Sequence, residues 1–242
     1  MKLFCLLLLQ LPWTCFSQSA TIHFDIKNAT AENLEMNFYG DLSNPNVLFG
    51  EPYVYTPIQN GKLEWSYQLK RPATIEVYYI SKDSLNQFTY SFFLTPGDDL
   101  YFSADEHAFP ASIVVTGKGS ENNQPMIQSL HDDFNQEIFS QFRNDTLPYH
   151  ALKAIENKKS MNQKVLNQYL TKYSATAEFI KNETTYLEYF TLSNYSMFKG
   201  SQKFSIRDAY ERNEFAWQSL EDSLIQLTPL TNDTAIFSTG FA

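Results

Sequence analysis

Tyr90-Ser-Phe-Phe-Leu-Thr-Pro-Gly-Asp-Asp-Leu-Tyr-Phe-Ser-Ala104, followed by Ile113-Val-Val-Thr-Gly-Lys-Gly-Ser-Glu-Asn-Asn123, holds the change of architecture in one stretch. Tyr90, Phe92 and Leu94 share one face of an extended chain, because side chains alternate sides along a strand. Pro96-Gly97 occupies the two centres of a turn: Pro supplies the first φ and Gly the positive second φ of type II. The Asp98 side chain caps that turn, and Leu100, Phe102 and Ala104 then alternate again. Ile113-Val114-Val115 is a third β-branched run, which stops at Gly117 and Gly119. From Met126 the apolar period changes from two to nearly four. The stretch closes a β domain and opens a helical one.

Working toward the N-terminus, Ile75, Val77 and Tyr79 predict one strand, ended by a polar connection from Ser81 to Gln87. Leu63, Trp65, Tyr67 and Leu69 predict another, closed by Arg71-Pro72. Gln59-Asn-Gly-Lys62 is a type I′ hairpin signal, since Asn-Gly tolerates two positive φ values. Tyr53-Val-Tyr55 is a short strand, Gly40 to Asn46 a loop, and Leu34, Met36 and Phe38 a strand after the polar turn Asn28–Asn33. Ile22, Phe24 and Ile26 form the first strand. Seven to eight short strands with turns between them predict an antiparallel β-sandwich or open barrel, followed by a helical region: an α+β chain.

In the helical region, Met126, Leu130, Phe134, Ile138 and Phe142 step by four. They predict one helix, with Ser120, Asn122 or Asn123 as its cap and Pro125 in its first turn. Leu166, Tyr169, Tyr173, Ala177 and Ile180 predict a second. Leu187, Phe190 and Met197 mark a third, ended near Gly200. Ala216, Leu220, Leu224 and Leu227 mark a fourth, ended at Pro229. Asn232-Asp-Thr-Ala-Ile-Phe237 reads as a cap and helix start shortly before Ala242, the pattern of a helical region truncated at its C-terminus.

Residues 1–17 carry one lysine, an apolar core and then small residues, which is a secretory signal rather than a span. Cys15 and Ser17 fit the −3 and −1 positions, placing cleavage before Gln18. A lipoprotein reading would retain Cys15, but Pro12-Trp13-Thr14 is bulky where such a site needs small residues. The domain organisation expected is therefore 1–17 signal peptide, 18–119 β domain and 120–242 helical region, exported to the periplasm or cell surface. Both cysteines, Cys5 and Cys15, leave with the signal, and with them any disulfide or thiol nucleophile. The formal net charge of −9 disfavours nucleic acid and anionic lipid as partners. No later run is apolar enough to leave an integral span.

No residue is assigned a catalytic, cofactor-binding or metal-ligating role. Gly117-Lys-Gly-Ser120 lacks the third glycine of a dinucleotide loop and the Gly-Lys-Ser/Thr of a Walker loop. His131-Asp132-Asp133 with Glu137 reads as acids near a helix start, and His23, His107 and His150 have no ligand partner at helical or hairpin spacing. Asp98-Asp99 and Asp105-Glu106 would serve as paired carboxylates only if they gather near one sheet end. Tyr53, Tyr55, Trp65, Tyr67, Tyr78 and Tyr79 make either an aromatic platform for sugar or peptide or a packed core. Asn28, Asn144, Asn182, Asn194 and Asn232 head Asn-x-Ser/Thr sequons. No Gly-x-Ser-x-Gly elbow is present.

Phe92-Phe-Leu-Thr-Pro-Gly-Asp-Asp-Leu-Tyr-Phe102 and the exit Gly117-Lys-Gly-Ser-Glu-Asn122 resemble the N-terminal region of secreted thiol-disulfide interchange proteins of the TlpA type. Gln59-Asn-Gly-Lys-Leu-Glu-Trp65 is similar to their early hairpin, and Pro229 to Ser238 to the segment leading into later helices. The resemblance implies a β domain and helices that serve a C-terminal thioredoxin-like domain. It does not supply the Cys-x-x-Cys pair that redox exchange requires, because no residue here matches it. What it implies is a non-catalytic recognition or scaffold portion, whose partner is another protein or the chain's own C-terminal thioredoxin-like domain, with a homodimer also open. The alternative from the residues is a free-standing secreted glycan- or peptide-binding protein using exposed aromatics.

Overall fold

A computed structural model describes residues 18–39, 53–130 and 134–228. The signal, the Gly40–Asn46 loop, His131-Asp132-Asp133 and everything from Pro229 onward lie outside the described residues, as does the Glu137 side chain. Eight strands are described: β1 Gln18–Lys27, β2 Asn33–Tyr39, β3 Tyr53–Pro57, β4 Lys62–Leu69, β5 Ala73–Ile80, β6 Gln87–Leu94, β7 Asp99–Asp105 and β8 Val114–Lys118. They form two four-stranded sheets, ordered β4-β1-β7-β8 and β3-β2-β5-β6. Four α-helices follow: α1 Phe134–Phe142, α2 Pro148–Lys172, α3 Ala177–Ser205 and α4 Arg207–Leu227. The class is α+β.

The inward residues of the two sheets meet in one core. Phe24 and Phe102 of the first sheet pack on Phe92 of the second, with ring centroids 6.0 and 5.7 Å away, and Phe88 stacks on Phe102 at 5.6 Å. Ile22, Leu34, Met36, Ile75, Val77 and Leu100 are buried in the same cluster. These are the residues that the two-residue period places on one face of each strand. One pairing departs from an antiparallel plan: β1 runs parallel to β7, with Phe24 opposite Phe102. Alternation reads the same in either direction, so it carries no signal for strand polarity.

The turns carry their expected chemistry. Asn60 and Gly61 both have positive φ, at 51° and 75°, and Gln59 bridges Lys62 across them. The two strands that this turn joins nevertheless belong to different sheets, so it is a corner rather than a hairpin. Gly97 has φ 86°, and the Thr95 backbone N–H and hydroxyl donate to the Asp98 carboxylate at 2.7 and 2.8 Å.

The helical region differs from the expected one in four places. Two 3-10 segments, Ser120–Asn122 and Pro125–Leu130, stand where a single helix running on to Phe142 is expected. The stripe from Leu166 to Ile180 is split. Tyr173 is extended (φ −123°, ψ 141°), and a new helix starts at Ala177, with the Thr176 hydroxyl accepting from the Phe179 N–H. Tyr169, Tyr173 and Ala177 happen to keep a four-residue step across that break, which periodicity alone cannot see. Gly200 lies inside α3, not at its end. On α4 the buried residues are Tyr210 and Trp217, whereas Ala216 is exposed.

Candidate functional site

The helices are mounted on the free edge of β6, and the residues from Gly117 to Gln124 make the mounting. β6 pairs with β5 on one side only, so alternate N–H and C=O groups on its other side need partners. Two side-chain amides supply them. The Asn123 carboxamide accepts from the Phe93 N–H at 2.7 Å and donates to the Phe93 carbonyl at 2.9 Å. Gln128 repeats the pattern on Ser91, at 2.7 and 2.9 Å. Asn123 is fully buried, and its amide also donates to the Gly119 carbonyl at 2.9 Å. The Tyr90 hydroxyl donates to the Asn123 carbonyl at 2.6 Å, and burial pushes its pKa well up.

The same segment grips the helices. Tyr169 of α2 donates to the Glu121 carbonyl at 2.7 Å and accepts from the Gln124 N–H at 3.1 Å. The Asn122 oxygen accepts from the Thr176 N–H at 2.9 Å, at the head of α3. Phe93 itself points out of the sandwich and meets Phe179 of α3 edge to face, with centroids 5.4 Å apart. Residues expected to cap one local helix thus bond to a sheet edge and to a helix some 54 positions away.

Gly117-Lys-Gly-Ser120 does not form a phosphate cradle. The Lys118 ammonium turns back to the Gly97 carbonyl at 2.7 Å. The Asp98 carboxylate stands against Gly119, where an added Cβ would lie 2.6 Å from its carbon. Burial raises the Asp98 pKa, even though the Thr95 bonds and Lys118 pull it the other way.

The acidic pairs do not gather. Asp98-Asp99 and Asp105-Glu106 lie at opposite ends of β7, about 20 Å apart by strand rise, beyond the spacing of any paired-carboxylate hydrolase. Asp105 accepts from Asn28 at 2.9 Å and from the His107 N–H at 3.0 Å. Glu106 is buried and takes bonds from the Thr30 N–H at 2.7 Å, the Thr30 hydroxyl at 3.0 Å and the Tyr79 hydroxyl. Burial alone would raise its pKa, but those donors leave it below the ordinary glutamate value.

The outer face of the first sheet brings charged, hydroxyl and aromatic side chains together. Strand register lines up three rungs: Ser66-Thr21-Asp99, Glu64-His23-Tyr101 and Lys62-Asp25-Ser103. His23 stacks on Tyr101 with centroids 4.4 Å apart and contacts Asp99 at 2.9 Å and Glu64 at 3.5 Å. An open concavity of about 580 Å3 runs over the second and third of these rungs. Its members come from three strands far apart in sequence, and no local spacing reveals them. Among the described residues no group of three His, Cys, Asp or Glu is placed to hold a metal ion.

The expected aromatic platform is divided. Trp65 and Tyr79 are core residues, and Tyr67 packs beside Trp65. Tyr55 is exposed and Tyr78 half-buried on the outer face of the second sheet, flanking Glu35. The Tyr53 side chain lies outside the described residues. Of the sequons, Asn28 and Asn144 are exposed, whereas Asn182 and Asn194 are buried in α3, and Asn232 lies outside the described residues. No family model, curated protein or solved structure matches the chain. Its two cysteines, Cys5 and Cys15, are ten positions apart and cannot form a Cys-x-x-Cys pair. No helix among the described residues is long and apolar enough to cross a membrane.

Proposed function

We propose that this chain is the non-catalytic recognition and scaffold portion of an exported thiol-disulfide interchange-like protein. The redox chemistry then belongs to a thioredoxin-like domain, in the same polypeptide or in a partner, and the chain itself is not an enzyme. The observation that carries this reading is where the motif residues lie. Pro96-Gly97-Asp98 and Gly117-x-Gly-x-x-Asn122 are far apart in sequence, yet Asp98 packs against Gly119, and Asn122 bonds to the head of α3. The residues behind the resemblance are those that fix a sandwich to a helical platform, which is what a module presenting a separate domain needs. The test is the coding sequence together with a dithiol assay. A reading frame that continues into a Cys-x-x-Cys domain, whose insulin-reducing activity depends on those cysteines, supports the reading. A stop codon directly after Ala242, with no thioredoxin-like protein co-purifying from the exported fraction, opposes it.

The alternative, a free-standing secreted protein that binds glycan or peptide, is favoured by Tyr101. Its ring is half exposed and stacked on His23 between two carboxylates, in the concavity of the first sheet. Under this reading, Tyr101→Ala abolishes a retention that the unaltered chain shows on a glycan or peptide array. A chain retained by nothing on the array counts against it.

A further inference from the structure

A second depression, of about 360 Å3, lies where the end of α1 meets the last turns of α3. Phe139 and Ser140 of α1 line one side, with Arg143 just past the end of that helix; Ser201, Gln202 and Ser205 of α3 line the other. Ser201 and Ser205 are one turn apart and share a face of α3. Arg143 stands where the carbonyl ends of α1 favour a cation. Two contacts fix the walls. Phe139 stacks on Phe198 of α3 with centroids 5.8 Å apart, and the Gln202 amide nitrogen donates to the Phe142 carbonyl at 2.8 Å.

Gln202 is the floor. It is 1% exposed, whereas Phe139 and Ser201 are half-buried and Ser140, Arg143 and Ser205 are exposed. Its nitrogen is spent on the Phe142 carbonyl, while its oxygen, Oε1, is buried and has no hydrogen-bond partner among the described residues. Native proteins seldom leave such an atom unsatisfied unless something outside the chain completes the bond. A carboxamide oxygen can only accept, so whatever completes it must bring an O–H or N–H. The Arg143 guanidinium can only donate, so it calls for the oxygens of an anion. No carboxylate competes with that anion among the described residues of the lining. Serine hydroxyls both give and take hydrogen bonds, as the hydroxyls of a polyol do.

We propose that this crevice binds a sugar acid, a polyhydroxylated monocarboxylate the size of a single ring. One ligand hydroxyl donates to the Gln202 oxygen, and the carboxylate faces Arg143. The remaining hydroxyls exchange hydrogen bonds with Ser201 and Ser205, and the apolar C–H face of the ring lies against Phe139. Small sites of this kind combine an apolar wall with a few placed polar groups. A bare anion satisfies Arg143 but brings no donor to Gln202, and a neutral sugar does the reverse; only the two together answer both. Two sources share this chemistry: a free hexuronate, and the terminal uronate of a polysaccharide. The crevice belongs to the helices and not to the concavity of the first sheet, so the proposal rests on neither functional reading.

Isothermal titration calorimetry of the purified chain with galacturonate and with trigalacturonate tests it. Galactose serves as the control without a carboxylate and acetate as the control without hydroxyls. Binding of either uronate at least about tenfold tighter than both controls is the expected result. Arg143→Gln changes only an exposed position and should weaken the uronate by about tenfold, to the level of galactose. Gln202→Met keeps the length of the side chain and removes the acceptor, and should weaken the uronate to a similar degree. Tighter binding of galacturonate assigns the site to free acids, and equal or tighter binding of trigalacturonate assigns it to chain ends. Absence of heat with both uronates at millimolar concentration overturns the proposal, as does binding of galactose or acetate equal to that of galacturonate. So does unchanged affinity in a folded Arg143→Gln chain, whether or not Gln202→Met folds.

Discussion

Asn123 pairs with Phe93 as a neighbouring strand residue would, its carboxamide taking the N–H at 2.7 Å and giving to the C=O at 2.9 Å. A side chain thereby extends a sheet that the backbone has stopped extending. The benefit is twofold: a strand edge is closed against other chains, and the helical region gains a fixed register on the sandwich. Asn123→Ala removes three hydrogen bonds and strands two buried backbone groups, at a cost of about 2–4 kcal/mol. Urea unfolding followed by far-ultraviolet circular dichroism should show a lower midpoint. A midpoint within error of the parent's would mean that water replaces the amide without loss.

The glycines make a contrasting pair. Gly119 has φ 94°, and a Cβ there would meet the Asp98 carboxylate carbon at 2.6 Å, so Gly119→Ala should cost about 2 kcal/mol or more. Gly200 has nothing within 4 Å of its added Cβ and lies within α3, so Gly200→Ala should stabilise by about 0.5–1 kcal/mol. Thermal melts of the two variants should move in opposite directions. Movement in the same direction would sink the conformational argument.

Burial also sorts the sequons. Asn182 and Asn194 lie in α3 at 7% and 8% exposure, and the Asn194 amide donates to the Phe190 carbonyl at 2.7 Å. In a glycosylating host, intact-mass and peptide mapping of the folded product should find glycan at Asn28 or Asn144 and none at Asn182 or Asn194. Occupancy at Asn182 in a folded product would contradict the placement of α3.

Much of the sandwich was legible because its strands are half-buried, and half-burial writes itself as alternation. Ile22-Phe24-Ile26 and Leu100-Phe102-Ala104 are the clear cases. The Pro96-Gly97-Asp98 turn was legible because its φ values demand those residue types. Strand direction was not, since alternation is symmetric under reversal, and β1 beside β7 turns out parallel. The break at Tyr173 hid behind a stripe that continues across it, although Thr176 three residues before Phe179 is the N-cap signal that could have exposed it. The site residues were the least legible. His23, Glu64 and Tyr101 meet only through strand register. Asn123 looked like a helix cap because caps and edge partners call for the same short amide.

Two buried acids should leave opposite marks on stability against pH. The donors on Glu106 hold its pKa below the ordinary glutamate value in the folded chain. Its stabilisation is therefore present above that ordinary value and is lost as pH falls through the folded one. Glu106→Gln should cost about 1–3 kcal/mol at neutral pH and progressively less in acid. Asp98 behaves in reverse: burial raises its pKa, so the fold prefers the protonated form. Its contribution is fully present below the ordinary aspartate value and is lost as pH rises through the folded one. Asp98→Asn should then cost more at low pH than at neutral pH, while the Asn side chain keeps partners for both Thr95 groups. Urea midpoints for the parent and both variants, taken from pH 7 down to pH 3, compare the two trends directly. If the gap between the parent and Glu106→Gln stays constant across that range, Glu106 is not held as a carboxylate by Thr30 and Tyr79.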